Sequence, residues 1–305
     1  MPSPLDRAAA AETIGRLKTA RRAVILAHNY QPGEVQDIAD FVGDSLELSR
    51  KAAAADAGVI VFCGVHFMAE TAAILAPDKI VLLPDPQAGC PMADMISAEE
   101  MIRWRAQFPG RPAVCYVNTS AAVKAECDVC CTSANAPQVV NSVEGQEVLF
   151  APDKNLAAWT ATQTSKTIIP WDGYCYVHNN IRPQDIREKL KRFPEAFVWA
   201  HPECRSEVIA LADKTLSTGG MVREARQTDA RDVIIATEAT MVYRLKKENP
   251  GKDFHPAHDL AYCANMRKTD LAKVAAALDT MTPRITVPPR IADRARGAIE
   301  RMIRL

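Results

Sequence analysis

Three cysteines, Cys90, Cys175 and Cys263, stand at nearly equal intervals, 85 and 88 residues apart. Each closes a stretch of similar order. An apolar run ends in polar residues, helix-like sequence and further apolar runs follow, and the thiol comes last. The runs Ala23-Val24-Ile25-Leu26-Ala27, Ala113-Val114-Cys115-Tyr116-Val117-Asn118 and Ala196-Phe197-Val198-Trp199-Ala200 open the three stretches. Such continuous apolar runs suit strands buried on both faces, and their alternation with helices predicts parallel sheets. The expected architecture is therefore α/β, with three similar domains of small parallel sheets flanked by helices, arranged around a pseudo-threefold axis with a central site. The expected divisions are an N-terminal helix over 1–22, α/β units over 23–110, 111–194 and 195–266, and a helical tail over 267–305.

Unit one is predicted to hold a helix over Gln36–Ala53, interrupted near Gly43-Asp44-Ser45, with Ser45 capping its second part. Strands Val59–Phe62 and Ile80–Leu83 flank a helix over Phe67–Leu75. Unit two has a helix-like Ala121–Glu126 and strands Val148–Phe150 and Thr167–Ile169. Unit three has Val233–Ala236 behind a helix starting near Ser217-Thr218-Gly219-Gly220. Helices Asp270–Leu278 and Arg290–Leu305 around a Pro-rich hinge make the tail.

Lys+Arg (37) and Asp+Glu (37) cancel, so no overall field attracts nucleic acid or an anionic membrane, and a small-molecule partner is expected. No apolar window reaches the roughly 18 residues of a membrane span. The first residues carry Asp6, Arg7 and Glu12 and read as an amphipathic helix, not a signal peptide. Nine cysteines are too sparse for a disulfide scaffold and odd in number, which points to a reducing, cytoplasmic setting.

In parallel sheets ligands gather at the carboxyl ends of strands. Those ends carry His28-Asn29-Tyr30, Tyr116-Val117-Asn118 and His201-Pro202-Glu203. His201 with Glu203, and Tyr30 with His28, are candidate acid-base groups, although a single histidine at a strand end commonly serves structure alone. Ser217-Thr218-Gly219-Gly220 offers hydroxyls and N–H groups at a helix start for a phosphate or carboxylate, with Ser45 and Ser133 in comparable places; each also reads as a plain cap. Cys90, Cys175 and Cys263 lack any local zinc spacing and rest on repetition. Together they suit zinc or an iron-sulfur cluster, and singly they suit a buried core. Three thiolates on a four-iron cluster would leave one iron open. His178 lies three residues after Cys175, within reach of a supporting role. Cys127-Asp128-Val129-Cys130-Cys131 has no partner pair and reads as structural, and Cys63, Cys115 and Cys204 read as core.

His28-Asn29-Tyr30-Gln31, Gln36-Asp37-Ile38-Ala39-Asp40 with Gly43-Asp44-Ser45, Phe67-Met68-Ala69-Glu70-Thr71, Tyr116-Val117-Asn118, Thr132-Ser133-Ala134-Asn135, Pro152-Asp153-Lys154-Asn155-Leu156, His201-Pro202-Glu203-Cys204 and Cys263 with Met266 run through nearly the whole chain. In these the sequence resembles the quinolinate synthases of bacterial NAD biosynthesis. The resemblance implies three similar α/β domains around a [4Fe-4S] cluster held by Cys90, Cys175 and Cys263. It implies condensation of iminoaspartate with dihydroxyacetone phosphate to quinolinate, phosphate and water, and a functional link to an aspartate-oxidising enzyme. It assigns substrate binding to His28, Ser45, Tyr116, Asn118, Ser133, His201, Glu203 and Thr218, and proton transfer to Tyr30, His201 and Glu203. Some members of that family carry a second thiol beside the last ligand; here Cys263 stands alone in Ala261-Tyr262-Cys263-Ala264-Asn265. Two other readings fit the residues: an iron-sulfur hydro-lyase acting on a hydroxy acid, and a non-catalytic metal-binding protein.

Overall fold

The computed structural model describes residues 4–305, and its strands fall into three four-stranded sheets of the same topology. The first is built from β1 (Ala23–His28), β2 (Phe41–Gly43), β3 (Val59–Cys63) and β4 (Ile80–Leu82) in the order β2-β1-β3-β4. The second holds β5 (Ala113–Tyr116), β6 (Val129–Cys131), β7 (Glu147–Ala151) and β8 (Thr167–Pro170) in the order β6-β5-β7-β8. The third holds β9 (Phe197–Ala200), β10 (Lys214–Thr215), β11 (Asp232–Ala236) and β12 (Asp253–Pro256) in the order β10-β9-β11-β12. Every pairing within these sheets is parallel.

The opening strand of each stretch is a central strand of its sheet, covered by helices, which is why its sequence is apolar without alternation. All five residues of β3 are buried, as are the last four of β1 and all of β5. One apolar cluster draws Phe62, Phe150 and Trp199 from the three sheets into a shared core. The units are thus joined by buried surface instead of by linkers.

The predicted helix Gln36–Ala53 does not form as one piece. It divides into Gly33–Ile38 and Ser45–Ala54, with β2 between them paired to Leu26–His28. Sheet pairing overrides the local helical pattern at Phe41-Val42-Gly43. The second helix is capped by Asp44, not Ser45: the Asp44 carboxylate accepts the N–H groups of Leu46 and Glu47, and Glu47 returns a bond to the Asp44 N–H. The strand expected over Ala113–Asn118 ends at Tyr116, which leaves Asn118 in the loop beyond.

The helix expected at the N-terminus spans Pro4–Arg21, and residues 1–3 of that expectation lie outside the described residues. It packs against Leu271–Thr280, with the Arg21 guanidinium donating to the Leu278 and Asp279 carbonyls. The final helix, Pro289–Arg304, lies across the first two units. Asn135 donates to the Met302 carbonyl and Arg50 to that of Ile303, while the helix buries its own Ala295, Ala298, Ile299 and Met302. No helix among the described residues is long and apolar enough to cross a membrane.

Candidate active site

The registers show how one site is assembled from three sheets. Ala27, Cys115 and Ala200 pair with Cys63, Ala151 and Ala236 on one side, and with Val42, Cys130 and Thr215 on the other. Counting on from these pairs puts His28, Tyr116 and His201 at one equivalent position and Tyr30, Asn118 and Glu203 at a second. Ser45, Ser133 and Thr218 take a third, each three residues beyond the pair on an edge strand. All nine line a single cavity, as do Cys90, Cys175 and Cys263, together with His178, Glu238 and Met266.

The units touch through these side chains. Tyr116 donates its hydroxyl to Glu203, and the Tyr30 hydroxyl lies 2.5 Å from Thr237 Oγ1 and 3.4 Å from His178 Nε2. His178 Nε2 is also 2.8 Å from Thr237 Oγ1, and its ring stacks on that of His201 at 4.6 Å. His178 Nδ1 approaches Glu203 Oε2 to 2.8 Å, off the angle of a hydrogen bond. Asn29 donates to Thr218 Oγ1 at 2.8 Å, joining the first unit to the third.

Ser217 caps the helix Thr218–Gln227 by accepting the Gly220 N–H. Its hydroxyl meets Asp44 Oδ2 at 3.4 Å, so the caps of two helices from different units abut. Gly219 is required there, since a Cβ would stand 2.5 Å from Asp44 Oδ2. Neither Ser45 nor Ser133 caps a helix; their hydroxyls stay available to the cavity.

Burial sets the charges. It drives His28 and His201 down to about 3, only partly opposed by the Glu203 carboxylate, so both imidazoles are neutral near pH 7. Burial alone would raise Glu203, but His178, then His201 and the Tyr116 hydroxyl, hold it well below the usual carboxylate range. Tyr30 and Tyr116 are pushed far up by burial and by Glu203, and remain proton donors. Burial also raises all three cavity thiols, Cys90 to about 12. They are neutral thiols unless a metal holds them as thiolates.

The donor set fits a metal group on its own chemistry. Cys90 lies close enough to Cys175 to raise it, Cys263 acts likewise on Cys90, and none is in a disulfide. Cys175, His178 and Glu203 separately bring one ligand atom each to within 4.8 Å of one another, a second place for a metal ion in the same cavity. Asn118 Oδ1 is buried with no protein partner, the mark of a group left for a ligand.

The remaining thiols lie away from the lining. Cys63, Cys115 and Cys204 are buried in or beside strands, Cys130 and Cys131 lie within β6, and Cys127 donates to the Val123 carbonyl. Glu238, at the carboxyl end of β11, went unnoticed in the sequence, although its place after the run Val233–Ala236 matches the rule that singled out Glu203. Burial raises it to about 7, against hydrogen bonds from the Cys263 and Thr240 N–H groups.

The model of the Quinolinate synthetase A protein family matches residues 12–304. A quinolinate synthase of Dehalococcoides mccartyi is 58% identical over 292 residues, covering 96% of this chain and 97% of that protein. The quinolinate synthase of Methanoregula boonei is 55% identical over 300 residues (98% and 99%), and quinolinate synthase 2 of Methanosarcina acetivorans 50% over 293 (96% and 94%).

Proposed function

Since the chain belongs to the quinolinate synthetase A family, we propose that it condenses iminoaspartate with dihydroxyacetone phosphate, releasing phosphate and water to give quinolinate. The observation that carries this reading is the convergence of nine polar side chains, from three equivalent positions in three sheets, on the cavity that also holds three spaced thiols. A small polyanionic substrate pair needs hydrogen-bond donors from several sides, and this lining provides them.

Cys90, Cys175 and Cys263 would hold a [4Fe-4S] cluster. When bound, that group supplies an iron without a protein ligand, a Lewis acid for an oxygen or nitrogen of the substrate. The hydroxyls of Ser45, Ser133 and Thr218, with Asn118, bind the carboxylates and phosphate. His28 and His201, neutral, bind as hydrogen-bonding groups and add no cationic field. Tyr30 and Tyr116 donate protons, and Glu203, ionised and bonded to the Tyr116 hydroxyl, is the principal acid-base group. Condensation and dehydration both move protons at carbon and oxygen. A carboxylate in contact with a phenol and two imidazoles can take and return them without solvent.

The setting is cytoplasmic, where thiols stay reduced, and the supply of iminoaspartate links the chain to an aspartate-oxidising enzyme. The Cys175, His178 and Glu203 group favours a second reading, a single metal ion in a hydro-lyase or a non-catalytic protein. Anaerobic purification followed by metal analysis and an assay with iminoaspartate generated in place separates the two. About four irons per chain and quinolinate formation are expected. One zinc per chain with no quinolinate would overturn the proposal.

A further inference from the structure

The loops leading to the three thiols are fastened by one hydrogen bond written three times. The N–H of His66 donates to the Ala88 carbonyl at 2.7 Å, that of Lys154 to Gly173 at 2.8 Å and that of Ala239 to Ala261 at 2.8 Å. In each case the acceptor lies two residues before the cysteine. The donor lies three residues beyond a central strand, after β3, β7 and β11. The residue just before each donor is therefore equivalent across the units: Val65, Asp153 and Glu238.

At two of the three places that residue is a buried carboxylate aimed at the ligand loop. Asp153, 0% exposed, accepts the Cys175 N–H on Oδ2 at 3.0 Å while its Oδ1 caps the next helix through Leu156 N–H at 2.6 Å. Glu238, also 0% exposed, accepts the Cys263 N–H on Oε1 at 3.2 Å, and its Oε2 accepts the Thr240 N–H at 2.8 Å. The fit around Asp153 is close enough to demand Gly173, where a Cβ would stand 2.5 Å from the Pro152 carbonyl oxygen. The Val65 side chain can accept nothing. Its unit has Asp85 instead, which holds the Gln87 N–H at 2.8 Å and the Lys273 ammonium, short of Cys90.

We propose that Asp153 and Glu238 are positioning residues, fixing the backbone of Cys175 and Cys263 so that their sulfur atoms face the cavity, and that Cys90 is the one thiol set without such a carboxylate. The inference rests on the reading of Cys90, Cys175 and Cys263 as cluster ligands. Both oxygens of each carboxylate are acceptors in use. An amide has one oxygen and a donor in place of the other, so Asp153→Asn and Glu238→Gln each turn a donor toward an N–H group with almost no change of shape. Supporting partners of metal ligands typically carry about 10–100-fold in metal retention.

The test uses the full chain reconstituted anaerobically, with iron loss to a chelator, the cluster reduction potential and the melting temperature of the metal-free protein as readouts. Asp153→Asn and Glu238→Gln are expected to load a cluster, lose iron at least about tenfold faster than wild type and show a displaced potential, with the metal-free melting temperature of Glu238→Gln close to wild type. Wild-type iron loss and potential in both variants would overturn the proposal. Should Asp153→Asn fail to fold, Glu238→Gln decides alone. Failure of the ligand reading looks different: wild type holding no cluster, or Cys175→Ser keeping its iron, sinks that reading and this proposal with it.

Discussion

The Tyr116 hydroxyl, at the end of the central strand of the second sheet, donates to the Glu203 carboxylate beyond the equivalent strand of the third. The bond crosses between units, is buried from solvent, and joins a phenol that burial keeps protonated to a carboxylate held ionised by its neighbours. Glu203→Gln keeps the size of the side chain and removes the base. It should lower kcat by about 10²–10⁴ while the iron content stays at wild type. Loss of iron in parallel with activity would show a structural role instead.

Gly219 fits against Asp44 with no room for a methyl group. Asp44 cannot swing away, because Oδ1 holds the cap of Ser45–Ala54 and Oδ2 meets Ser217. Gly219→Ala should therefore cost about 1–3 kcal/mol by overpacking and move Thr218 in the cavity. Thermal unfolding and substrate KM check the two effects, which should appear together.

Asn118 Oδ1 has no protein partner to lose. Asn118→Ala should leave the melting temperature nearly unchanged and raise the substrate KM by up to about tenfold, the worth of one hydrogen bond. A large drop in stability with KM unchanged would mean that the amide serves the fold.

His28 and His201 are held neutral down to about pH 3, against an ordinary value of 6.5. Between those values the unfolded chain binds more protons than the folded one, so stability rises with pH across the window. The contribution is complete above about pH 6.5 and is lost as pH falls toward 3, each histidine adding a slope of up to about 1.4 kcal/mol per pH unit. Denaturant unfolding of metal-free protein from pH 7 to 4 should show this fall, and His28→Gln should flatten it. A fall of equal steepness in the variant would rule out His28 as a source.

Much of the fold can be read from residues such as Val59–Cys63, where apolar sequence continuous over a strand's length means burial on both faces. The edge strands cannot. Lys214–Thr215 is two residues long with an exposed lysine, and Phe41–Gly43 sits inside a helical pattern. Such segments become strands only because a central strand already offers free N–H and C=O groups. These are also the strands that lead to Ser45, Ser133 and Thr218, so the places of those hydroxyls could be guessed but their equivalence could not.

By itself the sequence determined the class of fold, the count of repeats and the spacing of Cys90, Cys175 and Cys263, because apolar periodicity and interval are properties of the chain as a line. The tertiary structure alone decided which groups meet: Tyr116 with Glu203 and Tyr30 with Thr237 across units, and Asp153 with the Cys175 N–H within one. It also decided their charges. Desolvation depends on what closes over a group, and the groups that act on these charges come from other elements of the fold: Glu203 and Arg244 on His28, His178 and Tyr116 on Glu203. No local pattern of residues encodes that.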